Sequence, residues 1–123
     1  MAVASIQELI AQRELIDERK KRLYDFETSI GTIVVKPPSA ALMAEADKMR
    51  DNYEGNVFLV YSCIIEPDLR NAELQKAYKV VSPMDIVTAL FKHGEVVRIT
   101  DKLMEIAGFR DNITSKIHEE IKN

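Results

Sequence analysis

At 123 residues, 46% of them hydrophobic, the chain has the size of one ordinary domain and enough apolar mass for a core without staples. With 17 Lys plus Arg against 20 Asp plus Glu, the net charge is −3 and both signs are mixed along the chain, which excludes the basic footprint that phosphate backbones require. The lone Cys63, inside the apolar run VFLVYSCII, excludes an intramolecular disulfide and reads as a small buried hydrophobe in a reducing compartment.

The opening stretch MAVASIQELIAQRELIDERKK has neither a continuous apolar core nor an early basic region, so no signal peptide is expected. The longest apolar run falls far short of a membrane span, and a cytosolic chain is expected. Residues 4–18 set Ile6, Leu9, Ile10 and Ile16 among polar residues, with Ser5 as N-cap and Glu8 completing a capping box, and predict an amphipathic helix. The run DERKKR after it reads as a solvated connection. Residues 22–36 alternate, pause at Ser29-Ile30-Gly31 and resume with β-branched residues. They predict a β-hairpin in which Gly31 supplies the turn's unusual backbone angle.

Pro37 and Pro38 end the second strand, and Ser39 caps the next helix. Leu42, Ala46, Met49 and Tyr53 fall on one helical face, with the helix expected to stop near NYEGN at Gly55. Periodicity leaves helix and strand both open for residues 57–65; the shortage of neighbouring strands favours a central helix. In IIEPDLRNAELQKAYKV, Pro67 and Asp68 are expected to end one helix and cap the next, while Leu69, Leu74 and Tyr78 pack that short helix on the core. Ser82-Pro83-Met84-Asp85 predicts a helix from Pro83 that carries Met84, Val87, Leu90 and Phe91 inward and ends at Gly94. Another, from Glu95, uses Val96, Ile99, Leu103 and Ile106 and closes at AGF, where Gly108 suits the left-handed C′ position and Phe109 folds back. Ile113, Ile117 and Ile121, four apart, predict a last helix over 111–121 whose narrow stripe rests lightly on the domain or waits for a partner.

Chemistry is sparse. His93 and His118 have no cysteine or second histidine at metal spacing, so no metal is expected. Glu66 and Asp68 flank Pro67 as turn residues rather than as an acid/base couple. There is no Gly-rich phosphate loop, nucleophile elbow or aromatic ladder with bases, so neither catalytic residue nor cofactor is expected. The stretch SPMDIVTALFKHGEVVRITDKLMEIAGF has the outline of a helix-turn-helix, but its Lys92, Arg98 and Lys102 are outnumbered by Asp85, Glu95, Asp101 and Glu105. Nucleic acid is therefore not an expected partner, and a helix-turn-helix regulator stands only as an alternative reading.

Two blocks carry a family resemblance. PDLRNAELQKAYKV is followed, at the family's spacing, by a helix pair ending LMEIAGF, and the chain from about Ile64 to Phe109 resembles the XkdN-like phage tail assembly chaperones of tailed phages and prophages of Gram-positive bacteria. One departure is FKHGEVVRI, where the family pattern would carry a turn more marked by proline and glycine. The resemblance implies a non-enzymatic protein of the host cytoplasm, absent from the mature virion; a structural tail component is the other alternative reading. It also implies that the protein binds the tape measure protein and helps recruit major tail tube subunits.

The expected fold is mainly α (α+β): a compact helical domain over 1–123 with a small N-terminal β-hairpin, made of a helix at 4–18, a hairpin at 22–36, a helical core at 39–109 and a C-terminal helix at 111–121. Leu69, Leu74, Tyr78, Phe91, Met104 and Phe109 are the expected partner-binding residues, Leu69 and Tyr78 by staying exposed. Pro67, Asp68, Ser82, Gly94 and Gly108 are the expected structural motif. Met43, Met49, Met84 and Met104 lie on helix faces, where flexible side chains suit a variable client. Self-association is expected through the hairpin edge or the 111–121 helix. No membrane partner is expected.

Overall fold

The computed structural model describes residues 2–119. In chain order its elements are α1 (Ile6–Ala11), α2 (Arg13–Lys21), β1 (Tyr24–Thr28), β2 (Gly31–Val35), α3 (Ala40–Asp47), α4 (Asn52–Cys63), β3 (Ile64–Glu66), α5 (Ala72–Ala77), α6 (Asp85–Leu90) and α7 (His93–Ile106). The expected helix-dominated α+β fold is the one observed.

β1 and β2 form the expected antiparallel hairpin, Thr28 opposite Gly31 through Tyr24 opposite Val35. Gly31 sits at φ 117°, a region closed to side chains with a Cβ. The sheet gains a third strand that the apolar run concealed. α4 continues to Cys63, after which Ile64–Glu66 extends and pairs antiparallel with β2, giving the order β1-β2-β3. Residues 57–65 are therefore helix first and strand last. A run whose polar residues are confined to Tyr61 and Ser62 offers no period from which that switch can be read.

Ile33 and Val35 of β2 meet Val57, Val60 and Cys63 of α4, Ile86 and Val87 of α6, and Val96, Ile99 and Leu103 of α7 in one buried cluster, joined by Ile64, Leu69 and Phe91. Each such aliphatic side chain stabilises by about 1.5–3 kcal/mol relative to exposure, so this cluster dominates the fold's stability. The buried Thr100 hydroxyl donates to the Val96 carbonyl at 2.9 Å.

Three predicted boundaries move. The helix expected to stop at Gly55 breaks earlier, between Asp47 and Asn52, and Asp51 caps α4 by accepting from the Glu54 amide at 2.8 Å. Gly55 then lies inside α4, because a Cβ there would stand 2.9 Å from the Ala46 carbonyl oxygen. Gly94 does not end a helix: α6 stops at the extended, core-anchored Phe91, and Gly94 occupies the first turn of α7. α6 itself begins at Asp85 rather than Pro83. The Ser82 amide donates to the Asp85 carboxylate at 3.1 Å, while the Ser82 side chain does not act as the cap.

Both ends depart from expectation as well. The single helix over 4–18 is two, broken at Gln12, where the Arg13 guanidinium donates to the Ile10 carbonyl at 2.8 Å. α2 runs on through the supposed connection to Lys21, with Arg19, Lys20 and Lys21 placed favourably at a helix C-terminus. Residues 111–119 form no helix, because no neighbouring element covers their stripe and a short isolated helix is unstable. The rest of that expected helix lies outside the described residues. Gly108 does take the left-handed cap position, φ 91°, with the Phe109 amide donating to the Met104 carbonyl and the Gly108 amide to that of Glu105. Phe109 nevertheless stays 64% exposed instead of folding back.

Candidate functional site

The Pro67–Val80 segment is a joint held by hydrogen bonds. Asp68 accepts from the Arg70 amide at 3.0 Å, a turn that tips Leu69 into the core, where it is only 1% exposed. Asn71, not Asp68, caps α5 by accepting from the Leu74 amide at 3.0 Å. The Gln75 side-chain amide donates both to the Leu69 carbonyl at 2.7 Å and to the Pro83 carbonyl at 3.0 Å, tying α5 to the turns on either side. Arg70 lies over the Tyr61 ring, 4.7 Å from its centroid. α5 ends with Lys79 at φ 54°, the Val80 amide donating to the Gln75 carbonyl. The segment is distinctive because it closes the core. Gln75, the residue that ties it together, shows in the sequence only as an amide inside an amphipathic helix.

The six expected contact residues do not converge. Leu69 and Phe91 are buried in the core, so the exposed edge expected of Leu69 does not exist. Leu74 of α5 is half-buried, and Tyr78, which caps that helix's C-terminus four residues on, is about half exposed. Phe109 stands exposed beyond α7. Met104 is half-buried and has the richest company.

Met104 joins Met43 of α3 and Met49 of the α3–α4 connection in a cleft of about 230 Å³. Leu59 and Gly55 of α4 form its floor, and Asp47, Arg50, Asn52 and Asn56 its polar rim. Methionine side chains are unbranched and polarisable, which suits them to fill irregular contacts. Met84 lies apart, in a second groove of about 450 Å³ with Tyr53 and Val57. Arg50 and Asp51 border both grooves. All four methionines are expected on helix faces, but Met49 falls in the α3–α4 connection and Met84 just ahead of α6; only the fold shows which three meet.

The titratable groups add little chemistry. Burial pushes the Cys63 thiol up to about 11, which leaves it protonated and unreactive. The Ser29 hydroxyl and amide donate to the Glu95 carboxylate and hold its pKa below the ordinary glutamate value. That contact pins the hairpin tip to the first turn of α7. His93 stacks on Tyr53, ring centroids 4.1 Å apart. Among the described residues no group of three or more His, Cys, Asp and Glu could hold a metal ion, and no helix is long and apolar enough to cross a membrane.

Known proteins agree with this architecture. The fold is similar to the crystal structure of the protein yqbn, with a TM-score of 0.54 at 20% identity over 73% of this chain and 87% of that one. The sequence is 35% identical over 60 residues to protein XkdN of the phage-like element PBSX of Bacillus subtilis strain 168. That stretch is 48% of this chain and 40% of the relative, so the chain spans well under two thirds of the relative's length. Residues 39–122, which include α3 through α7 with the joint and the methionine cleft, match the family described as phage XkdN-like tail assembly chaperone protein. With more than half of its length matched, the chain belongs to the XkdN-like family of phage tail assembly chaperones.

Proposed function

We propose that the protein acts without catalysis as a tail assembly chaperone in the host cytoplasm, working as one domain over residues 1–123. Its client is the tape measure protein, and it helps bring major tail tube subunits to that client before leaving the finished virion. The observation that supports this most is the cleft where Met43, Met49 and Met104 meet, inside the family-matched segment. A helical client offers apolar side chains in a stripe, and a small cleft of three flexible thioethers inside a polar rim accepts one such side chain without demanding one sequence. Leu74, Tyr78 and Phe109 are outlying contacts in this reading, whereas Leu69 and Phe91 serve the fold that holds the cleft.

Co-expression with the tape measure protein of the same phage tests both parts. The wild-type chain is expected to co-purify with the client and to raise its soluble fraction. A Met43→Gln/Met104→Gln double variant, folded by circular dichroism, is expected to lose most of both effects. An inert wild-type chain beside an insoluble client would end the chaperone reading; a fully active double variant would move the client site off the cleft.

A further inference from the structure

A second surface lies at the β1 edge of the sheet, where β1, outside the family-matched segment, faces α7, inside it. β2 pairs along its length with β1 and, at Val34 and Val35, with β3, while β1 has no neighbour on its outer side among the described residues. The direction of its free backbone groups follows from the register. The Lys36 amide donates towards β3, to the Cys63 carbonyl at 2.9 Å, so Val35 one residue earlier faces β1 and bonds Tyr24 opposite it. Alternation then turns the amides and carbonyls of Asp25 and Glu27 outward, unpaired by the sheet. They border a groove of about 380 Å³ between β1 and one face of α7, with Phe26, Ile99 and Ile106 as its apolar part. The Ser29–Glu95 contact closes one end.

Charge selects the occupant. A second copy pairing antiparallel through these edge groups would set Asp25 against Glu27, or Asp25 against Asp25, or Glu27 against Glu27, according to register. Each is a like-charge cross-strand pair, which is destabilising. On the α7 wall Lys102 is already matched by Glu105 at 3.2 Å, and Arg98 bears on Glu95. Glu27 accepts from the neutral Thr32 hydroxyl at 2.8 Å, which leaves its charge unmatched, so the exposed Asp25 and Glu27 side chains set the preference at the edge.

We propose that the β1 edge and this groove bind an extended peptide segment by strand addition, with basic residues opposite Asp25 and Glu27 and an apolar residue between them beside Phe26. Main-chain hydrogen bonds to the outward Asp25 and Glu27 groups supply the affinity, and the Lys-apolar-Lys alternation supplies the selectivity. This partner differs from the helical client of the methionine cleft, so one chain can hold a helix and a strand at the same time.

The probes are blocked peptides Thr-Lys-Val-Lys-Thr and Thr-Glu-Val-Glu-Thr, titrated into the full chain with amide exchange read by NMR. The lysine peptide is expected to slow exchange at the Asp25 and Glu27 amides selectively and to outcompete the glutamate peptide. Asp25→Lys and Glu27→Lys, both at exposed positions, are each expected to weaken lysine-peptide binding by about fivefold, the upper size of a cross-strand charge pair. Binding without protection of those two amides would mean attraction to a net-negative protein and would overturn the proposal, as would no binding or a preference for the glutamate peptide. No tape measure protein is present in this assay, so any of these three failures leaves the chaperone reading untouched.

Discussion

α7 and the two ends of the chain carry the same kind of apolar spacing with opposite results. Val96, Ile99 and Leu103 repeat along α7 and are buried beneath α4 and α6. Ile6, Leu9 and Ile10 repeat along α1, yet Ile6 is 67% exposed and α1 and α2 contain no buried residue. Ile113 and Ile117 repeat at the other end, where Ile113 is 93% exposed and the segment is not helical. Spacing decides which residues share a face; a covering element decides whether that face is buried.

The largest effect expected from this contrast separates Leu69 from Ile10. Leu69→Ala empties a filled core position and is expected to cost about 2–5 kcal/mol, whereas the exposed Ile10→Ser is expected to stay within about 0.5 kcal/mol. Urea unfolding of both variants checks it, and an Ile10→Ser cost near that of Leu69→Ala would mean that α1 is packed in solution. A smaller effect is expected at Lys79. Its left-handed backbone costs a residue with a Cβ about 1–2 kcal/mol, so Lys79→Gly is expected to stabilise by about 1 kcal/mol once the added freedom of the unfolded chain is counted. A thermal melt that falls instead would show the Lys79 side chain to be engaged.

The smallest effect concerns pH. Glu95 has a depressed folded pKa, so its contribution is complete above the ordinary glutamate range and is lost as pH falls through the folded value. Exchange at the Ser29 amide is expected to quicken relative to Thr100 as the pH falls through that window. Glu95→Gln is expected to remove the pH dependence while leaving α7 intact. An unchanged Ser29 profile in that variant would show that the hairpin tip is held by something else.

How much of the fold the sequence disclosed depends on how local each cause is. Ser5 and Ser39 cap their helices as expected, each accepting from the amide three residues on at 3.2 Å, because a cap is settled within one turn. Gly31 and Gly108 adopt the positive φ that their turns demand. Gly55 and Gly94 were misleading for the opposite reason: a glycine signals either a break or a close approach, and the Ala46 carbonyl that fixes Gly55 belongs to another helix. β3 was hidden because only pairing with β2 makes a strand of Ile64–Glu66. The methionine cleft was hidden too, since Met43 and Met104 meet only once α3 and α7 are docked. The family, by contrast, was legible in PDLRNAELQKAYKV and LMEIAGF, whose residues build the joint at Gln75 and the cap at Gly108.

The most direct test of the proposed client site is a methyl spectrum of the methionine-labelled chain as purified tape measure protein is added. The methyl signals of Met43, Met49 and Met104 are expected to shift together at one saturating ratio, while that of Met84, in its separate groove, moves little. A spectrum in which Met84 alone responds, or in which no methionine responds to a client that binds, would contradict the assignment of the cleft.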